Sequence, residues 1–181
     1  MLTVTIPASE QFDEEKQEFI STKAQTLQLE HSLVSLSKWE ARWKKPYLSD
    51  APKSKEEIYD YFRCMTVGAV PEDYVYRALS ADNIKEIADY INDPMTATTV
   101  YEFDKKHSNK TVVTSELIYY WMIAQNIPPE YEKWHLNRLM MLIKVCSIKN
   151  NPKQRKMSRQ EIARQNRAIN AARRQKYGTK G

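Results

Sequence analysis

The sequence predicts a mainly α fold: a compact helical domain with a small β-hairpin or short strands and a basic C-terminal helix. Apolar residues recur at helical spacing through most of the chain, and Ser or Thr residues able to cap a helix precede several of these segments. The length of 181 residues is that of one domain with an appendage. We therefore divide the chain into a helical body, residues 1–150, and a basic tail, residues 151–181.

Short strands are predicted near the N-terminus. Residues 2–6 alternate apolar and Thr side chains and stop at Pro7, which is typical of an edge strand. Residues 27–36 begin with the same alternation and then become ambiguous between strand and helix. The acid-rich passage 13–20 is read as either a helix or a linker.

Two capping boxes predict helix starts in the first half of the body. Ser37 with Glu40 and Ser54 with Glu57 have the spacing at which each side chain satisfies an exposed amide of the other residue. The helix from Ser37 is expected to end after Trp43.

Further helices are predicted to start at residues 71–73 and after Ser80, the latter ending at residues 93–94. The β-branched and aromatic run at residues 95–103 then reads as a strand, with residues 110–113 as its partner in a small hairpin.

Residues 114–146 are predicted to form the core as two apolar helices joined by a break at 127–129. The first helix is capped by Thr114 and ends at Asn126, and the second begins at Glu130. The second helix is apolar nearly all round, so it is either buried or part of an interface with a partner. The pattern does not decide between the two.

The tail is strongly basic. Residues 149–181 carry eleven Lys and Arg and one acid, Glu161, so their formal charge is +10 and that of the remaining chain is −5. Ser158 and Glu161 form a capping box that predicts a helix from residue 159 to 176, with a thin apolar stripe at Ile162 and Ile169. Such a helix can lie on the body, follow a phosphate backbone, fold on meeting a partner, or remain solvated and partly disordered.

No pattern typical of catalysis or metal binding stands out. Glu132 and His135 form one Glu-x-x-His motif, whereas a di-metal bundle needs two and further glutamates. His31 and His107 lack acid partners and are predicted at the surface or core edge. With only three glycines the chain lacks a glycine-rich phosphate loop. We predict a protein that is not an enzyme and has no metal or cofactor.

The sequence also indicates a cytoplasmic location. Cys64 and Cys146 are far apart and unpaired in pattern, as expected of two buried thiols in a reducing compartment. The N-terminus lacks a signal-peptide leader, and no apolar window reaches the roughly 18 residues needed to cross a bilayer.

Several strings together resemble the tail assembly chaperones of siphophages that infect Gram-positive bacteria. These strings are residues 29–40, 95–99, 115–122 and 132–139. The resemblance implies a non-catalytic protein of the host cytoplasm that coats the tape measure protein during tail assembly and is absent from the finished virion. It also implies self-association and, as a second partner, the tail-tube protein.

For such a role the candidate partner-binding residues lie on the two apolar helices and on the tail. They are Tyr120, Trp121, Trp134, Met141, Arg164, Arg167, Arg173 and Arg174. Two alternatives remain: a nucleic-acid-binding phage protein that uses the basic arm, and a structural head-tail connector subunit. The arm has one aromatic residue, Tyr177, so stacking on single strands is poorly supported.

Overall fold

The computed structural model describes residues 1–13, 17–100, 112–150 and 159–177. The described elements are mostly helical, which confirms the predicted fold class. In chain order they are strands β1 Leu2–Ile6, β2 Ser9–Asp13, β3 Glu18–Thr22 and β4 Gln25–Leu29, then helices α1 Leu33–Trp43, α2 Lys55–Met65, α3 Asp73–Arg77, α4 Ala81–Asn92, α5 Ser115–Ala124, a 3-10 helix Pro129–Lys133, α6 Leu136–Asn150 and α7 Arg159–Tyr177.

The four strands are successive parts of one antiparallel hairpin. β1 pairs with β4 and β2 with β3, and the register continues across the gap between the pairs, since Ile6 lies opposite Gln25 and Ser9 opposite Thr22. The predicted strand at residues 2–6 is confirmed. The helix or linker predicted for residues 13–20 is wrong where the structure describes it, because pairing that starts in β1 and β4 extends along the chain into β2 and β3.

Local capping correctly predicted most helix starts. Ser54 and Glu57 form the capping box of α2, and Ser80 caps α4 through the amide of Asn83. Thr114 caps α5 by accepting from the amide of Leu117. These bonds join residues three positions apart, so the sequence alone contains the signal.

The predicted start of α1 at Ser37 is wrong. The helix begins four residues earlier, after the cap Ser32, whose hydroxyl accepts from the Ser35 amide at 3.3 Å, while the Ser32 amide donates to Ser35 Oγ at 2.8 Å. Burial of Leu33 and Leu36, both fully inaccessible, favours this earlier start. Lys44 follows the helix in the left-handed conformation, and the predicted end after Trp43 is confirmed.

A pair of alanine substitutions distinguishes the two starts. We expect Ser32→Ala to lower the free energy of unfolding by about 1 kcal/mol, because it removes the cap. Ser37→Ala should leave it unchanged or raise it slightly, because Ser37 lies inside the helix, where Ala is the better helix former. Urea denaturation measures both. A loss for Ser37→Ala that matches the loss for Ser32→Ala would contradict the observed helix start.

The hairpin predicted at residues 95–103 and 110–113 is not formed by the residues that the structure describes. Residues 95–100 and 112–113 contain no strand, and 101–111, with His107, lie outside the described residues. At the start of this segment, side chains accept hydrogen bonds from backbone amides that a strand would use for pairing. Asp93 Oδ1 accepts from the Met95 amide at 2.6 Å, and Thr96 Oγ1 accepts from the Thr98 amide at 3.1 Å. Such local bonds favour turns over a strand ladder.

The described side chains form two hydrophobic cores that share α1. In the first core, Trp39 of α1 packs with the β1–β4 hairpin and with α2, α3 and α4. In the second, Leu33 and Leu36 of α1 pack with α5 and α6. Residues 114–146 were predicted to form the core. They supply only part of it, because the first core is built from residues 4–90.

Residues 129–150 form two elements instead of the single helix predicted from Glu130. The 3-10 helix Pro129–Lys133 comes first, and α6 begins at Leu136. The break is held by a long-range bond, because the Leu136 amide donates to the carbonyl of His31 at 2.7 Å. α6 is also not buried all round. Its buried residues lie on one face: Leu136, Leu139 and Ile143.

The tail helix agrees with the prediction, since α7 covers Arg159–Tyr177. Its described side chains are mostly exposed, including Ile162 at 45%, while Gln165 and Ile169 are partly covered. Ser158, the predicted cap, lies outside the described residues. None of the helices in the described ranges is long and apolar enough to cross a membrane.

Candidate functional site: a groove on α5 and α6

An apolar groove of about 760 Å³ lies where α5 and α6 pack side by side. Trp121 forms the α5 wall, and Met140, Met141 and Ile148 line the α6 side. All four side chains are half-buried, so they border the second core while keeping apolar surface open to solvent. Methionine adapts its shape to a partner more readily than branched side chains do. A groove of this size and lining is suited to bind apolar groups.

The groove follows one face of α6. Asn137, Met141, Lys144 and Ile148 all line it, and their spacing of three or four residues places them on one side of the helix. Of the buried residues, Leu139 occupies a different side, whereas Ile143 belongs to the second core and also lines the groove. The helix that is apolar nearly all round in sequence is therefore core on one face and groove on another.

One basic residue of α6, Lys144, lines the groove. Arg138 and Lys149 lie on the same helix but do not line it. α6 contains no acidic residue, and Glu116, the acid of α5, lies in the first turn of that helix. The Arg138 guanidinium carbon is 4.1 Å from the centre of the Trp134 ring, a cation–π contact that fixes this charge at the start of α6.

The structure brings together two of the four candidate residues predicted on the apolar helices. Trp121 and Met141 both line the groove. Tyr120 is 62% exposed and does not line it, because neighbouring residues of a helix point about 100° apart. Trp134 also lies outside it and stacks on Tyr131, with the ring centroids 4.1 Å apart.

The four candidate arginines are exposed on α7. Arg164, Arg167 and Arg174 share one side of this helix, since their spacings of three and seven residues return to nearly the same direction. Ile162 and Ile169 lie on the opposite side. Arg173 is exposed too but points away from the other three arginines. α7 thus combines a cationic face with a narrow apolar one.

Sequence reasoning missed groove residues that a periodicity argument could have found. Met140, Lys144 and Ile148 recur every fourth residue, which places them on one face of any helix through this stretch. The pattern alone does not show that this face stays open, because that depends on how α1 and α5 pack against the opposite side.

A buried polar cluster connects the two cores. His31 is 2% exposed, so its predicted place at the surface or core edge is wrong. Its Nδ1 lies 2.6 Å from the Tyr61 hydroxyl, and its ring packs edge-on against His135 with centroids 5.1 Å apart. Burial lowers the pKa of His31 to about 3, and the neighbouring His135 adds to the shift. The imidazole is therefore neutral at pH 7.

His135 is also held in the neutral form. Its Nε2 donates to the carbonyl of Tyr90 at 3.0 Å, and its Nδ1 accepts from the Asn137 amide at 3.3 Å. A second proton on Nδ1 would meet that amide donor. Burial lowers the pKa of His135, although Glu30 and Asp93 oppose this shift.

A second buried group, Glu40, connects α1 to the start of α5. Its carboxylate accepts from the amide of Tyr47 at 2.9 Å and from the amide of Ser115 at 2.7 Å. Ser115 is the first residue of α5, so a negative charge lies at the helix end where the backbone dipole favours it. Glu40 is 7% exposed and fixes the position of α5 against the first core.

The Glu-x-x-His motif is used for structure. Glu132 accepts a hydrogen bond from the Tyr119 hydroxyl at 2.9 Å, whereas His135 bonds to Tyr90. Within the described ranges, no group of three His, Cys, Asp or Glu residues is placed to hold a metal ion. Cys64 is buried, and Cys146 is only half-buried, in contrast to the two buried thiols predicted; both are free.

No family model, curated protein or solved structure matches this chain.

Proposed function

We propose that this chain is a phage tail assembly chaperone that binds the tape measure protein in the host cytoplasm while the tail-tube protein polymerises, and that it catalyses no reaction. The observation that carries the proposal is the open apolar groove lined by Trp121, Met141 and Ile148. The resemblance of residues 29–40, 95–99, 115–122 and 132–139 to this family gives independent support.

The groove has the form that helix recognition requires. A tape measure protein of such phages is expected to be long, helical and apolar, so its free chain aggregates unless its apolar stripe is covered. Amphipathic helices bind by placing side chains at i, i+3, i+4 and i+7 into a hydrophobic groove. The apolar lining and the adaptable Met140 and Met141 provide such a surface along α6.

Coexpression with a tape measure protein of such a phage tests the proposal. We expect the wild-type chain to keep the tape measure protein soluble and to copurify with it. The double variant Met141→Ser and Ile148→Ser should bind about thirtyfold more weakly or worse, because truncating anchor side chains at an interface costs about 1–2 kcal/mol each.

The matched control is Tyr120→Ser with Ile123→Ser, since both residues lie on α5, are exposed at 62% and 75%, and do not line the groove. This variant should bind like wild type. Loss of binding in the control but not in the groove variant would place the partner on the outer face of α5. A tape measure protein that stays insoluble with the wild-type chain would contradict the proposed function.

The tail arginines are expected to contribute to partner binding or to self-association. Replacing Arg164, Arg167, Arg173 and Arg174 by Glu should leave the body folded, because these side chains are exposed, and should weaken copurification or reduce oligomer size. Circular dichroism, copurification and light scattering after gel filtration measure the three effects. Unchanged copurification together with unchanged size would contradict this expectation.

Nucleic-acid binding is the second candidate function, because the cationic face of α7 is exposed. If α7 binds phosphates, gel shifts with mixed-sequence DNA and RNA should weaken steeply as salt rises. The four-arginine variant should then lose the shift, whereas the groove variant should keep it. A shift that is insensitive to the arginines would exclude this use of the tail.

A further inference from the structure

We infer that the cationic face of α7 docks on an acidic face of α4 in a second copy of this chain. The inference does not depend on the proposed function, because both faces belong to this chain and neither includes a residue of the groove.

Four acids form one face of α4 and of the residue that follows it. They are Asp82, Glu86, Asp89 and Asp93, and all four are exposed. Their spacings of four, three and four residues place them on one side of the helix over about 16 Å. Ile87 and Tyr90 hold the opposite side of α4 in the first core. The helix is therefore fixed while its acidic face points to solvent.

The charge of the acidic face is not neutralised by the part of the chain that the structure describes. None of the four acids forms an ion pair with a described residue. Asp93 accepts a hydrogen bond from the Met95 amide, which is uncharged. Lys85 borders the face, so four acids and one lysine give residues 81–93 a formal charge of −3. Such a surface attracts a cationic partner.

The cationic face of α7 matches the acidic face in length and spacing. Arg164, Arg167 and Arg174 span about 15 Å of helix and form no ion pair with a described residue. Counted back from Arg174, the arginines lie at positions 0, 7 and 10, and three of the acids lie at 0, 7 and 11 counted from Asp82. Antiparallel docking therefore brings three cations within one helical step of three acids.

The occupant of the acidic face is α7 of another copy. In the single chain the side chains of both faces are exposed, so they do not cover each other. Two copies present the same pair of faces and form the contact twice when they exchange their α7 helices. One exposed ion pair contributes little, whereas several pairs that form together in two linked contacts add up. The association is expected to weaken as salt screens these charges.

Charge reversal of each face in the full-length protein tests the inference. The α7 variant carries Arg164→Glu, Arg167→Glu and Arg174→Glu, and the α4 variant carries Asp82→Lys, Glu86→Lys and Asp89→Lys. Sedimentation velocity at about 50 mM salt should show wild type self-associating, and about 500 mM salt should weaken this association. Each variant alone should self-associate about tenfold more weakly than wild type or worse, because attraction between the faces becomes repulsion.

An equimolar mixture of the two variants provides the decisive arm. The acidic α7 of one variant complements the basic α4 of the other, and the remaining two faces keep their original charges. The mixture should therefore associate although neither variant associates alone. Recovery in the mixture excludes misfolding as the cause of the loss, and circular dichroism of each variant checks its helix content.

The matched control reverses three exposed acids outside α4. It carries Asp50→Lys, Glu72→Lys and Glu130→Lys, which change the net charge as much as the α4 variant does. This control should self-associate like wild type. A wild-type chain that is monomeric at low salt, a loss in the control equal to that of the α4 variant, or a mixture that fails to associate would overturn the inference. None of these results depends on the tape measure protein, so coexpression still decides the proposed function separately.

Discussion

Replacing Glu40 by Gln is expected to lower the free energy of unfolding by about 2–3 kcal/mol. The two carboxylate oxygens accept from the amides of Tyr47 and Ser115, and a Gln side chain has only one oxygen to offer. One amide would then face another donor in a site that is 7% exposed, and a buried unsatisfied donor costs about 1–3 kcal/mol. Urea denaturation measures the loss through the shift of its midpoint.

The control for this substitution is Glu86→Gln on α4. It changes the net charge by the same amount at an exposed position, so stability should change by less than about 0.5 kcal/mol. Because Glu40 fixes the start of α5, Glu40→Gln should also weaken binding to the groove, whereas Glu86→Gln should not. Equal midpoints for the two variants would show that Glu40 does not join α1 to α5.

Acid is expected to destabilise the protein through its two buried histidines. Both pKa values are depressed in the folded state, that of His31 to about 3, so the folded protein stays unprotonated where the unfolded chain takes up protons. The stability that the two neutral histidines contribute is fully present above about pH 6.5 and is lost as the pH falls toward 3. Each histidine contributes a slope of up to about 1.4 kcal/mol per pH unit within its own range.

A His31→Asn variant isolates this contribution. Asn places a polar group near the position of Nδ1 but cannot take up the proton. The number of protons taken up on unfolding below pH 6 should therefore fall by about one, and the free energy of unfolding should fall less steeply with decreasing pH. Tyr61→Phe removes the hydroxyl that bonds His31 and leaves the imidazole buried, so this control should keep the wild-type slope. Urea midpoints between pH 4 and 7 measure both. Parallel changes of the urea midpoint with pH for His31→Asn and wild type would contradict the assignment of this pH dependence to His31.

The fold was predictable where the signal was local. The caps at Ser54, Ser80 and Thr114 bond to amides three residues away, and residues 2–6 alternate as a strand requires. The start of α1 was not predictable in this way. Ser37 and Glu40 match a capping box, yet Glu40 bonds to Ser115, 75 residues further along the chain.

The candidate site was predictable in part for a related reason. Trp121 and Met141 were identified because they lie in strongly apolar segments, and the structure places both in the groove. Met140 and Ile148 were not identified, because the face of α6 that stays open depends on how the neighbouring helices pack against the other face. The burial of His31 depends on contacts with Tyr61 and His135, which are 30 and more residues away.

Hydrogen–deuterium exchange on the proposed complex with the tape measure protein reports directly on whether α5 and α6 hold the partner. If the groove holds the partner, amides of Ser115–Ala124 and Leu136–Asn150 should exchange more slowly in the complex, because their local opening requires release of the partner. Amides of Ala81–Asn92 should be unaffected. Protection confined to other elements, with α5 and α6 unchanged in a stable complex, would show that the partner does not bind in the groove.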